Sequence, residues 1–110
     1  MRINIKPLSV NQAWQGKRFK TKKYLDYEQE LMLLLRPIKI PEPPYSVIYE
    51  FGLSSSLADW DNPIKPAQDI LQKKYGFNDK DIFEARVRKV KVEKGAEYIL
   101  FEIKSFIENV

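Results

Sequence analysis

The nine residues Tyr45-Ser46-Val47-Ile48-Tyr49-Glu50-Phe51-Gly52-Leu53 decide the fold. Tyr45, Val47, Tyr49, Phe51 and Leu53 alternate with Ser46, Ile48, Glu50 and Gly52, the two-residue period of a β-strand. One face is aromatic and aliphatic throughout, which predicts a central strand. The strand runs out through Ser54-Ser55-Ser56 into a crowd of charges, Asp59-Trp60-Asp61-Asn62. A helix is predicted next. Asn62 or Asp61 can cap it, and Pro63 suits its first position. Ile64, Ala67, Ile70, Leu71 and Tyr75 give it an apolar stripe, and Gly76 is a natural C-cap.

The pattern extends outward on both sides. Ile3 and Ile5 alternate with polar residues and predict a short strand that Pro7 ends. Leu8 to Lys20 shows no period and predicts a long basic loop. Thr21 can cap a helix to Arg36, with Tyr24, Tyr27, Leu31, Leu34 and Leu35 on its buried face. Pro37 to Pro44 contains four prolines and predicts an extended connector. After Gly76 a polar turn leads into a long strand, Ile82 to Glu93. Its alternation changes phase between Val87 and Val90, which predicts a β-bulge near Arg88–Lys89. Lys94-Gly95-Ala96 predicts a hairpin turn, with Tyr98 to Ser105 returning beside the long strand. The order strand, helix, strand, helix, strand, strand predicts an α+β fold: a small mixed β-sheet with two helices packed on it, in one domain over residues 1–110.

Composition narrows the chemistry. The 110 residues are 44% hydrophobic and 31% charged, enough for one core. There is no cysteine and no histidine, which excludes disulfides, zinc fingers, cysteine nucleophiles and Ser-His-Asp triads. A metal site must use oxygen ligands, which selects Mg²⁺, Mn²⁺ or Ca²⁺. No apolar run approaches the roughly 18 residues of a membrane span, and the N-terminus lacks a signal-peptide core. The expectation is a cytoplasmic protein with no membrane partner. The net charge of +4 suits an anionic partner. Lys17, Arg18, Lys20, Lys22 and Lys23 form a run without an acid, flanked by Trp14 and Phe19. They are candidate phosphate contacts with aromatics able to stack or wedge. Arg86, Arg88, Lys89 and Lys91 form a second basic run. The plainer reading of either run is a solvated face.

Asp59 and Asp61 are spaced i, i+2, so in an extended segment both carboxylates face one way. Two such groups make half of a divalent-cation site. Asp79 is the candidate third ligand, on the expectation that the helix from Pro63 to Tyr75 returns the chain past the site. Lys65 and Asp69 are spaced to meet on the helix. Their plainer reading is a surface ion pair, and Asp59 and Asp61 could be a solvated loop acid and a helix cap.

This arrangement resembles the RusA-like family of Holliday-junction resolvases. The matching residues are Asp59-Trp60-Asp61-Asn62, Lys65, Asp69, Gly76, Asn78-Asp79 and Ile82, with a weaker N-terminal match at Pro7, Ser9, Asn11, the basic loop and Tyr24. The resemblance implies a homodimeric, Mg²⁺-dependent endodeoxyribonuclease, of phage or prophage type, cutting four-way DNA junctions in recombination and repair. Mn²⁺ is a plausible substitute ion. It implies that Asp59, Asp61 and Asp79 are catalytic metal ligands and Lys65 a catalytic cation. Asn62 and Asp69 support them, and Asn11 joins the five basic residues in binding DNA. The family turn often carries two adjacent acids, and here the first is Asn78. That departure motivates an alternative, a non-catalytic basic DNA-binding module with the same fold.

Overall fold

The computed structural model describes residues 1–16 and 19–107. The elements in chain order are β1 (Arg2–Ile3), α1 (Val10–Ala13), β2 (Trp14–Gln15), β3 (Phe19–Lys20), α2 (Lys22–Leu34), β4 (Tyr45–Leu53), α3 (Ile64–Tyr75), a 3₁₀ turn (Asp79–Asp81), β5 (Ile82–Lys91) and β6 (Tyr98–Ser105). The main sheet is mixed and four-stranded, in the order β1-β6-β4-β5; β2 and β3 form a separate two-stranded ribbon. The architecture is the α+β fold expected.

β4 is central, as its alternation predicts. Tyr45, Val47, Tyr49, Phe51 and Leu53 are all buried, on the face that α2 and α3 cover. Tyr24, Tyr27, Leu31 and Leu35 from the α2 segment and Ala67, Ile70 and Leu71 from α3 complete this core. Thr21 caps α2 as expected, its hydroxyl accepting from the Tyr24 N–H at 3.2 Å. Gly76 closes α3 in the left-handed region at φ 74°, a conformation that suits a residue without Cβ.

Four expectations change. The segment from Leu8 to Lys20 is not a featureless loop. Ser9 caps the single turn α1, and Trp14–Gln15 pairs with Phe19–Lys20 as a small ribbon. α3 starts at Ile64 with Pro63 in the cap position and no side-chain cap bond. Asn62 and Asp61 instead use their backbone carbonyls, which accept from Val10 and Ile64 at 2.9 and 3.1 Å.

The bulge lies at the start of β5. Tyr45 pairs with Ile82 and Ser46 with Glu84, so Phe83 is the extra residue. No second bulge is needed at Arg88–Lys89, because β5 is an edge strand. The helices leave most of it exposed, so its two faces are under weak pressure to alternate.

β5 and β6 do not pair as a hairpin. β4 lies between them, parallel to β5 and antiparallel to β6. The connection from Val92 to Glu97 crosses the end of β4, and the Val92 N–H donates to the Leu53 carbonyl at 3.0 Å. The most apolar strand thereby gains neighbours on both sides, which burial favours over a local β5–β6 pair.

Candidate active site and basic surface

The acidic loop leaves the C-terminal end of β4 and is tied down from three directions. Ser54 Oγ donates to Glu97 Oε2 at 2.9 Å, and the Gly95 N–H donates to Glu97 Oε1 at 2.8 Å. Backbone donation, from Glu97 itself first, and the Ser54 hydroxyl hold the Glu97 carboxyl below its usual value. Lys89 reaches over from β5, and its ammonium donates to the carbonyls of Ser56 and Ala58 at 3.1 and 2.7 Å. The Asn62 carbonyl holds α1 through Val10. The loop is thus fixed to β5, to the β5–β6 crossing and to the N-terminal segment.

Asp59 lines a cavity of about 240 Å³ beneath this loop, with Lys6, Ser9, Gln12, Asn62 and Glu97 also on its walls. Asp59 and Asp61 are exposed, and between them Trp60 is 56% exposed, with Leu57 nearby at 91%. In the first turn of α3, the Lys65 ammonium lies 3.3 Å from the Asp69 carboxylate. Both are substantially exposed, so this pair contributes little to stability. One turn away, Gln68 accepts from the Tyr49 hydroxyl at 3.0 Å. Burial first, and Asp69 second, push the Tyr49 hydroxyl up, so it stays a donor.

Asp79 is elsewhere. β4 and β5 are parallel, with Tyr45 opposite Ile82 and Leu53 opposite Lys91. At about 3.3 Å per residue the two ends of this pair are roughly 25 Å apart. The acidic loop follows Leu53, and Asp79 precedes Ile82. α3 does not return the chain past the site. A crossover helix between parallel strands carries it to the opposite end. There Asn78 caps the 3₁₀ turn, its side-chain oxygen accepting from the Lys80 N–H at 3.1 Å. Among the described residues no three acidic groups stand close enough to hold a metal ion. One chain brings together Asp59, Asp61 and Asn62 on one loop, with Lys65 and Asp69 on the adjoining helix, and leaves Asp79 apart. As a complete three-carboxylate site, the set does not fit within a single chain.

The basic surface is mixed. Lys17 and Arg18 lie outside the described residues. Lys20 sits 3.7 Å from Glu28 and 4.8 Å from the centre of the Tyr24 ring. Burial pushes the Tyr24 hydroxyl up to about 12. Lys22 pairs with Asp26 at 2.9 Å, and its hydrogen bond to that carboxylate raises its pKa. Lys23 and Asn11 are exposed. Phe19 is 72% exposed at the ribbon, whereas Trp14 packs on Tyr24 with ring centres 5.9 Å apart. Of the two aromatics, Phe19 is the one presented to solvent.

Sequence reasoning placed Lys89 only in a basic run and did not find Lys6 or Glu97. Lys6 and Glu97 reach the site because β6 lies beside β4, a pairing hidden while β5 and β6 are read as a hairpin. No helix among the described residues is long and apolar enough to cross a membrane. Comparison with protein-family profiles and with curated proteins returns no match.

Proposed function

We propose that this protein is a metal-dependent, structure-specific endodeoxyribonuclease that acts as a homodimer on four-way DNA junctions, in the cytoplasm of a bacterial cell that carries it as a phage or prophage gene. The observation that carries the reading is the exposed Asp59-Trp60-Asp61 loop at the end of the central strand, braced by Lys89 and followed directly by Lys65. Two carboxylates on a fixed loop supply oxygen ligands for Mg²⁺ or Mn²⁺. Such an ion, when bound, activates water and offsets phosphate charge.

The chain's own groups have distinct parts in this reading. Asp59 and Asp61 would hold the ion, and a further ligand would have to come from outside the chain, because its own Asp79 lies at the far end of β5. Lys65 neutralises charge building on the phosphate oxygens, and Asp69 orients it from 3.3 Å. Trp60 and Phe19 offer faces to unpaired bases at an opened junction, and Lys20, Lys22, Lys23, Lys17, Arg18 and Asn11 engage its backbone.

Incubation of a labelled four-way junction with the protein and Mg²⁺ tests the reading. Symmetric nicking is expected. Asp61→Asn is expected to reduce the cleavage rate by at least about a hundredfold while junction binding is retained or tightened, as phosphate repulsion falls. Normal cleavage by that variant would show that the loop is not the active site. The separation of Asp79 from the loop within one chain favours a second reading, a DNA-binding module without catalysis. Salt-sensitive junction binding with no product under Mg²⁺ or Mn²⁺ would select it.

A further inference from the structure

The cavity of about 240 Å³ beneath the acidic loop is walled by the N-terminal segment, α1, the end of β4, the loop itself and the β5–β6 crossing. Its polar side chains fall into two groups. One group is spent on the fold. Ser9 and Ser55 accept from the backbone N–H groups of Asn11 and Leu57, at 3.2 Å each. Ser54 donates to Glu97 at 2.9 Å, and Glu97 also accepts from the Gly95 N–H. The other group is free. Among the described residues, the side chains of Lys6, Gln12 and Asn62 have no hydrogen-bond or ion-pair partner, yet three separate parts of the chain bring them to one wall. Lys6 also helps to hold the Glu97 carboxyl low without pairing directly to it.

The surface between these groups is apolar and stiff, with Pro7, Leu53 and Pro63 buried behind it. Apolar sides with a few free hydrogen-bonding groups at the edge suit a flat heterocycle. The volume is below the roughly 300–1,000 Å³ of sites for drug-sized ligands, so the cavity suits a single base with its sugar outside.

We propose that this cavity receives one nucleobase, unstacked from the opened junction beside the scissile phosphate, and reads it through Lys6 and Gln12. The proposal rests on the nuclease reading above and adds base selectivity to it. Asp59 ties the two together. It lines the cavity and is also a ligand of the proposed ion, so a base held inside keeps its own phosphate at the rim, beside that ion. Trp60 follows Asp59 directly, is 56% exposed and is not part of the wall. It is free to fill the gap that the base leaves in the stack. The free groups also choose the base. Lys6 only donates, the Gln12 and Asn62 amides donate and accept, and the Glu97 carboxylate is already occupied. Donors are in excess, which favours a base with a ring carbonyl, guanine or thymine, over adenine.

A four-way junction carrying the fluorescent guanine analogue 6-methylisoxanthopterin tests the proposal. The analogue is placed in turn at each nucleotide flanking the exchange point, with Ca²⁺ in place of Mg²⁺ to keep the strands uncut. Stacked bases quench it, and proline and leucine walls do not. Binding of the full chain is expected to raise its emission about threefold at one position, the one adjoining the nick made in Mg²⁺. Lys6→Met and Gln12→Ala replace exposed side chains, so the circular dichroism spectrum is expected to stay unchanged. Each is expected to remove most of the rise while junction binding weakens by less than about tenfold. In Mg²⁺ the wild type is expected to cut beside guanine or thymine about tenfold faster than beside adenine, a ratio that falls toward one in Lys6→Met. A junction that is bound and nicked with no rise at any position would overturn the base site and leave the active-site assignment standing. So would a base ratio that neither variant changes. Saturable micromolar binding of deoxyguanosine monophosphate without DNA would make the cavity a free-nucleotide site and overturn the proposal as well. A chain that neither binds nor nicks the junction would remove the nuclease reading and the base site together.

Discussion

The two faces of β4 are built on different physics. The odd-numbered face is a dry core in which Val47 and Phe51 have no exposure at all. The even-numbered face has no helix over it and is covered by a polar ladder running across all four strands. Arg2 of β1 stacks 3.8 Å above the ring of Tyr98 on β6, the Tyr98 hydroxyl donates to Glu50 of β4 at 2.6 Å, and Arg88 of β5 closes on the same carboxylate. Gly52 makes this possible, since a Cβ there would stand 2.3 Å from the Tyr98 ring. The covered face specifies the fold by exclusion of water. The open face specifies strand order by matched charges, and its hydrogen bonds are worth less because water competes for them.

Three substitutions break the comparison at decreasing cost. Phe51→Ala on the covered face is expected to destabilise by about 3–5 kcal/mol in urea unfolding, through lost burial and a cavity. A loss below about 1 kcal/mol would show that the core collapses around the gap. Gly52→Ala is expected to cost about 1–3 kcal/mol, because the ring must leave its place between Gly52 and Arg2. A neutral result would mean that the ladder is dispensable. Glu50→Gln is expected to cost less than about 1 kcal/mol at neutral pH, since the carboxylate is near solvent. Its informative readout is acid unfolding. Hydrogen bonds from Tyr98 first and Arg88 second hold the Glu50 carboxyl below its ordinary 4.5. The folded state therefore binds this proton less readily than the unfolded chain. The stabilisation is complete above pH 4.5 and is lost as pH falls through the lowered value. Glu50→Gln is expected to flatten that part of the stability profile, and an unchanged profile would remove Glu50 from the acid response.

The covered face was legible because burial imposes a period. The alternation of Tyr45 to Leu53 located β4 to the residue, and Thr21 and Gly76 marked helix ends through local chemistry, whereas α2 stops at Leu34 rather than Arg36 and leaves Leu34, expected on the buried face, 42% exposed. What escaped was set by distance. Nothing in Lys94-Gly95-Ala96 distinguishes a hairpin turn from a connection crossing the end of another strand, so the place of β6 was misread. The same limit affected the site. The Lys65–Asp69 contact is local and was readable, whereas the chain turns at Asp61 rather than running extended, so the i, i+2 spacing of Asp59 and Asp61 does not set a common direction. Asp79 was placed by assuming the helix returns, whereas the parallel crossover takes it away. Lys89 was visible only as one base among four, because its partners are backbone carbonyls, which carry no sequence signal.

The interposed position of β4 also bears on how the chain finds its fold. The main sheet contains no pairing between neighbouring segments: Gly52 meets Tyr98, Leu53 meets Lys91 and Arg2 meets Leu100. No strand pair in it can zip from a turn, so each ladder must wait for the closure of a long loop. The early order is left to α2 and α3, and the sheet assembles late, by capture of β5 and β6 on either side of β4. High contact order of this kind predicts folding slower than that of helical bundles of the same length.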